Sequence, residues 1–226
     1  METSLHRQLK QSYAVDAALT EVRLDGYRID AVVDGELIEV QLGSLSAIRR
    51  KIKHLLLAHP VRVIKPVVLS KRLVKRNRKS GRIVERRMSP RRGSVFDLFD
   101  ELVYFTDVFP HPSLTLEIPL IHVEEWRYPG HGRRRRRRAG DFIVEDQKLV
   151  GSDGMWRLST ADDLAALLPV TMHGPFHTGD LASRLGIKRH VAQRIAYCFR
   201  KTGAATTIGR NKQGWIYELN TDRAAA

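Results

Sequence analysis

Cysteine is nearly missing from this chain: Cys198 is the single one in 226 residues. One thiol can neither close an intramolecular disulfide nor build a thiolate zinc cluster, so both are excluded. Long apolar runs are lacking too, and no stretch approaches the roughly 20 residues that span a bilayer. The chain opens on polar residues after Met1-Glu2, with no signal-peptide pattern, so a cytoplasmic protein with no membrane association is expected. The nine histidines are scattered without the short spacings of metal-ligand pairs. Acidic residues are scarce beside basic ones: 25 Asp and Glu against 39 Lys and Arg leave a net charge of +14. Such an imbalance does not dictate a fold, but it attracts polyanions, nucleic acid foremost. A merely solvated basic surface is the bland alternative.

Apolar residues are not lacking. They make up 42% of the chain, enough for one large or two small cores at this length. Leu5, Leu9, Tyr13 and Ala17 recur at helical spacing over residues 4–18. Strands are predicted at about 20–24, 27–33 and 36–42, separated by Asp25-Gly26 and Asp34-Gly35. Two Asp-Gly turns so close together predict an antiparallel three-stranded meander. Ser44 can cap a helix over 44–58, with Leu45, Ile48, Ile52, Leu55 and Leu56 on one face. "VRVIKPVVLS" (61–70) reads as one further strand, with Pro66 at an edge or bulge.

Residues 71–92 hold eleven basic residues and one acid, Glu85, around a turn at Lys79-Ser80-Gly81. A basic hairpin gripping phosphates through Lys75, Arg76, Arg78 and Lys79 is the functional reading; a loose surface loop is the alternative. A short amphipathic helix is predicted over 94–105, and a last strand of the first domain over 114–126. "YPGHGRRRRRRAG" (128–140) contains six consecutive arginines, whose repulsion opposes packing, and reads as a linker or an arm. Arg133 and Arg134 are candidate DNA contacts within it. The remainder reads as three helices and a hairpin, the order of a winged helix-turn-helix. Three regions follow: a domain over 1–127, a linker over 128–140 and a smaller domain over 141–222.

On that smaller domain, Lys188, Arg189, His190, Gln193, Arg194 and Arg200 fall on the exposed side of the third predicted helix. Residues at the start of a recognition helix meet base edges, and Arg and Gln carry suitable donors. Arg210 and Lys212 at the wing would meet the DNA backbone. Trp215 and Tyr217 are expected to pack, His173 and His177 to serve the surface or a cap, and Cys198 to be a buried, inert thiol.

"YRIDAVVDGELIEVQLGS" (27–44) carries polar groups where a core strand should have none: Asp30, then Glu39 and Gln41. Residues two apart in a strand share a face, so Glu39 and Gln41 point together, and Asp30 can meet Glu39 across the hairpin. Two carboxylates buried without a partner are costly. A divalent cation removes that cost, because Mg²⁺ takes oxygen ligands, one or two carboxylates among them. The carbonyl of Val40 could add another oxygen. "ID" at 29–30, "IEVQ" at 38–41 and the helix over 44–58 resemble the PD-(D/E)xK, or restriction-endonuclease-like, nuclease superfamily. "SLHRQLK" and "HPVRVIKP" add a resemblance to an uncharacterised bacterial branch of it.

The resemblance implies an α/β (α+β) fold: helix, antiparallel meander, helix, strand, here followed by a winged helix. It implies that Asp30 and Glu39 hold Mg²⁺ or Mn²⁺ and that the protein hydrolyses phosphodiesters in DNA. The third motif position, usually lysine, is Gln41, which could orient water but carries no charge. Lys51 or Lys53 on the following helix could supply the cation. Many members place a glutamate on the first helix; Glu2 fits that position, and Glu21 is the second choice. Duplex or branched DNA is the expected partner, the nucleoid the expected location, and a homodimer would suit cleavage of both strands. The alternatives are a DNA-binding regulator that has lost hydrolysis, and a protein-interaction adaptor.

Overall fold

The computed structural model describes residues 3–13, 20–130, 141–169, 172 and 174–220. Helix α1 (Ser4–Tyr13) buries Leu5 and Leu9 on one stripe. Strands β1 (Thr20–Leu24), β2 (Tyr27–Val33) and β3 (Glu36–Val40) form the expected meander. Both Asp-Gly turns have positive φ at each central residue, 49° and 79° at Asp25-Gly26 and 50° and 79° at Asp34-Gly35. That backbone matches the twist of adjoining antiparallel strands, and only Gly, Asn and Asp enter it readily.

Helix α2 (Leu45–Leu55) starts at Ser44, whose hydroxyl accepts from the Ser46 N–H. It buries Leu45, Ile48, Ile52 and Leu55 and carries the chain over to β4 (Val61–Ile64), which lies parallel to β3. A parallel neighbour requires such a crossover. Strands β5 (Val67–Arg76) and β6 (Ile83–Met88) follow, then a 3₁₀ turn (Val95–Leu98) and the short helix α3 (Phe99–Leu102). Strand β7 (Leu114–Pro129) pairs parallel with both β4 and β5. Val61 faces Leu114 and Val67 faces Leu120, so β4 and β5 continue one line along β7. The expected single strand over 61–70 is therefore two. Pro66, having no N–H, breaks the ladder between them.

The expected boundary between domains needs correcting. Residues 142–158, expected in the C-terminal domain, form strand β8 (Phe142–Leu158), which pairs antiparallel with β7 from Pro129↔Phe142 to Leu116↔Leu158. The arginine-containing segment thus joins two strands of one hairpin, not two domains; residues 131–140 themselves, with Arg133 and Arg134, lie outside the described residues. An antiparallel partner needs only a local reversal, and such a long strand finds its nearest partner in the sequence beside it. Among the described residues the sheet has eight strands.

After Leu158 come α4 (Ala161–Ala165), α5 (Thr178–Leu185) and α6 (Arg189–Thr202), then the hairpin β9 (Ala205–Asn211) and β10 (Gly214–Leu219). The expected order of three helices and a hairpin is present. This unit does not hang from a tether. Phe199 on α6 meets Phe99 on α3 edge-on at 5.8 Å between ring centroids, inside one continuous apolar cluster. A second, smaller cluster joins Leu5 and Leu9 to Ala31, Ile38, Val40 and Ile64 beneath α1. No described helix is long and apolar enough to cross a membrane.

Candidate active site

The site begins as an irregularity in the meander. Register pairs Thr20 with Ala31 and Val22 with Ile29, which brackets Glu21 opposite Asp30. On the other side Ala31 pairs with Ile38, which brings Asp30 beside Glu39. Three carboxyl groups thus lie in one row across three strands. Glu21 has φ 57°, a left-handed backbone that an ordinary side chain resists, so the row is locally strained. Asp30 accepts from the Val40 N–H at 2.8 Å through Oδ2, standing in for a ladder bond where β2 and β3 part.

Cations reach this row from both sides. From α1, Lys10 pairs with Glu21 and approaches Asp30 Oδ1 at 3.7 Å. His6 Nε2 lies 2.9 Å from the Val40 carbonyl oxygen and 3.7 Å from Asp30 Oδ2. From α2, Lys51 donates to Glu39 Oε2 at 2.5 Å and also to the Arg28 carbonyl. The Lys51 and Glu39 side chains are 14% and 12% exposed. Burial pushes the Glu39 carboxyl above its usual range; Lys51 pulls it back, and the charge of Asp30 adds to the rise. Burial likewise raises Glu21, but hydrogen bonds from Lys10 and Arg28 prevail and hold it below the usual range.

The expected residues divide accordingly. Asp30, Glu39 and Lys51 converge. Lys53 does not: with Arg49 it pairs with Asp107 on the far side of α2, because residues 51 and 53 lie on different sides of a helix. Gln41 is also redirected, its amide donating at 2.5 Å to the Ser44 carbonyl and bracing the entry to α2. Glu2 lies outside the described residues. His6 and Lys10 escaped sequence reasoning, although their i, i+4 spacing beside Leu5 and Leu9 places them on one edge of the apolar stripe.

The oxygen donors here are of the hard-ion kind: Asp30, Glu39 and the Val40 carbonyl. Among the described residues, no group of three or more His, Cys, Asp or Glu side chains is placed to enclose a metal. Mg²⁺ commonly takes one or two protein carboxylates and completes its shell with water and substrate phosphate. The donor set fits an ion held jointly with substrate and does not form a closed protein cage.

The candidate nucleic-acid contacts also divide. Lys188, Arg189, His190, Gln193 and Arg200 are exposed on or beside α6, and Arg210 and Lys212 at the β9–β10 hairpin are exposed too. Arg194 is a correction: it pairs with Asp100 on α3, because this side of α6 faces the sheet unit. Lys75, Arg78 and Lys79 are exposed at the β5–β6 turn. Arg76 instead stacks on Trp126 at 4.3 Å and pairs with Glu145 at 3.2 Å. Trp215, expected to pack, is 53% exposed, with Arg210 lying 5.5 Å from its ring centroid. Tyr217 is buried, as expected. His177 precedes α5, and its N–H donates to Asp180 at 2.8 Å; His173 is outside the described residues. Burial pushes the Cys198 thiol up to about 12, which leaves it un-ionised and inert at neutral pH.

The sheet unit ends where a family model ends. The model described as "Domain of unknown function (DUF8091)" matches residues 3–158, from the start of α1 to the last residue of β8. The chain belongs to the DUF8091 family. An "Uncharacterized protein" of Treponema pallidum (strain Nichols) is 31% identical over 218 residues, covering 96% of this chain and 84% of that protein. The DUF8091 region thus contains the carboxylate row and both lysines, while the three helices and the hairpin lie beyond it. No solved structure matches the chain.

Proposed function

We propose that this DUF8091 protein is a metal-dependent DNA nuclease with a restriction-endonuclease-like core and a C-terminal winged helix that holds duplex or branched DNA. The observation that carries the reading is the convergence of Asp30, Glu39 and Lys51 where β2 and β3 separate. The element order supports it: α1, the meander, α2, and β4 parallel to β3. Asp30 and Glu39, with the Val40 carbonyl, would hold Mg²⁺ or Mn²⁺. Such an ion would lower the pKa of a bound water and neutralise the charge growing on the phosphodiester under attack.

The remaining work falls to the chain. Lys51 supplies the positive charge that Gln41 lacks, from the next helix in place of the motif strand. Its ammonium would meet the negative charge of a phosphate oxygen bound beside the row. Lys10 offsets Glu21 and Asp30 and so keeps three acids compatible in one row. The exposed cations of α6, of the β9–β10 hairpin and of the β5–β6 turn attract the DNA backbone. Cleaving both strands with one site per chain favours a homodimer, and a nucleoid location follows from affinity for duplex.

The test is incubation of the full chain with supercoiled and branched DNA in Mg²⁺, Mn²⁺ or EDTA. Metal-dependent cutting should vanish in Asp30→Ala and Glu39→Gln, fall in Lys51→Ala and persist in Lys53→Ala. One observation favours a second reading, a DNA-binding regulator without hydrolysis: the Gln41 amide is committed to Ser44, and each carboxylate already has a cation from the chain. Salt-sensitive DNA binding with no cutting in either metal would select that reading. An absence of salt-sensitive binding would leave an adaptor.

A further inference from the structure

We propose that Ser70, His122 and Asp153 form a nucleophilic triad that hydrolyses short-chain acyl esters, at a site separate from the carboxylate row. The three residues sit on adjacent strands β5, β7 and β8, and Ser70 lies directly opposite His122 in register. Ser70 Oγ is 2.7 Å from His122 Nδ1. On the far side of the ring, His122 Nε2 is 2.8 Å from Asp153 Oδ1. An ionised carboxylate only accepts, so Asp153 fixes the proton on Nε2 and leaves Nδ1 with a lone pair. Nδ1 then accepts from the Ser70 hydroxyl. This is the relation of nucleophile, base and orienting acid in a serine hydrolase, with the two ring nitrogens exchanged.

The backbone is irregular at the positions that aim these groups. The β5–β7 register shifts between Val68 and Ser70. In the β7–β8 ladder Pro119 pairs with Met155 and Ile121 with Ser152, so Asp153 and Gly154 bulge opposite Leu120. Gly154 has φ 124°, a conformation other residues resist, and the bulge turns Asp153 toward the ring. Beside the Ser70–His122 pair lies an open depression of about 250 Å³, lined by Met88, Val123, Val150 and Arg72. Its size and apolar walls suit a short acyl chain. Among the described residues the nearest carboxylate to Arg72 is that of Glu124, at 3.8 Å, which leaves the guanidinium able to turn toward an oxyanion.

The reaction closes on ester and water alone. Ser70 Oγ bonds to the acyl carbon as its proton passes to Nδ1, and the oxyanion formed faces Arg72. The bond to the alcohol oxygen breaks, and that oxygen takes the proton from Nδ1. Water then attacks the acyl-serine, gives a proton to Nδ1, and Oγ recovers it as the carboxylic acid leaves.

The experiment follows the full chain with p-nitrophenyl acetate and butyrate, and with a fluorophosphonate probe located by peptide mass spectrometry. Turnover is expected, with the label on Ser70. Ser70→Ala and His122→Ala should each lower kcat/KM by about 10²–10⁴-fold. Asp153→Asn should lower kcat more than it raises KM. The esterase needs no metal, so EDTA should leave it unchanged, and failure of the nuclease reading and failure of this one are distinguishable. Absence of turnover, a label elsewhere, or full activity in either alanine variant would overturn the proposal.

Discussion

Lys51→Met is the most informative single change, because it strands a mostly buried carboxylate while keeping an unbranched, largely apolar stem. At 2.5 Å the Lys51–Glu39 attraction is roughly 7 kcal/mol for an effective dielectric constant near 20. Desolvation of both ends offsets most of that. What the mutation reveals is the penalty of an unpaired buried charge, about 3–5 kcal/mol for a fully buried group. With Glu39 12% exposed, about 3 kcal/mol is the expected loss. Glu39→Gln should cost less, since Lys51 retains the Arg28 carbonyl, and the double variant should recover much of the loss.

The pH dependence has a definite sign. The folded-state pKa of Glu39 is raised above 4.5, so between 4.5 and the raised value the folded state binds more protons and stability falls as pH rises. Removing Lys51 raises that pKa further. The deficit of Lys51→Met should therefore be small below pH 4.5 and grow toward neutrality. Urea unfolding of the wild type, both single variants and the double variant at acid and neutral pH measures all of this. An additive cycle with a deficit independent of pH would refute the reasoning.

Other outcomes follow from the same contacts. Mg²⁺ should raise the unfolding free energy by about 2.7 kcal/mol at 100 times its dissociation constant, an effect lost in Asp30→Ala and readable by thermal melts. Phe199→Ala should cost about 3–5 kcal/mol by denaturant titration, because it empties the junction between α6 and α3. Arg189→Ala and Arg200→Ala should each lower the slope of log affinity against log salt by about 0.9 on duplex DNA, while Arg194→Ala, tied to Asp100, should leave it unchanged. Asp107, held down to about 2 by Arg49 with burial opposing and Lys53 assisting, favours the fold above pH 3.8 and loses that effect as pH falls through 2. As it is 36% exposed, Asp107→Asn should cost only about 0.2–1 kcal/mol in urea at pH 7.

Local chemistry made the meander, the capped α2 and the C-terminal order of helices and hairpin legible in the sequence. Asp-Gly turns, a serine cap and helical spacing each act within a few residues, so their reading needs no partner from elsewhere. The acidic pair at Asp30 and Glu39 was visible for the same reason: side-chain direction alternates along a strand. Pairing between distant segments was not visible. That β8 would extend the first sheet, that Lys51 would reach Glu39 while Lys53 turned to Asp107, and that Ser70, His122 and Asp153 would meet across three strands were all decided by tertiary register. Such contacts depend on where bulges fall and on the pitch of α2 against the sheet, neither of which a linear pattern of residue types encodes.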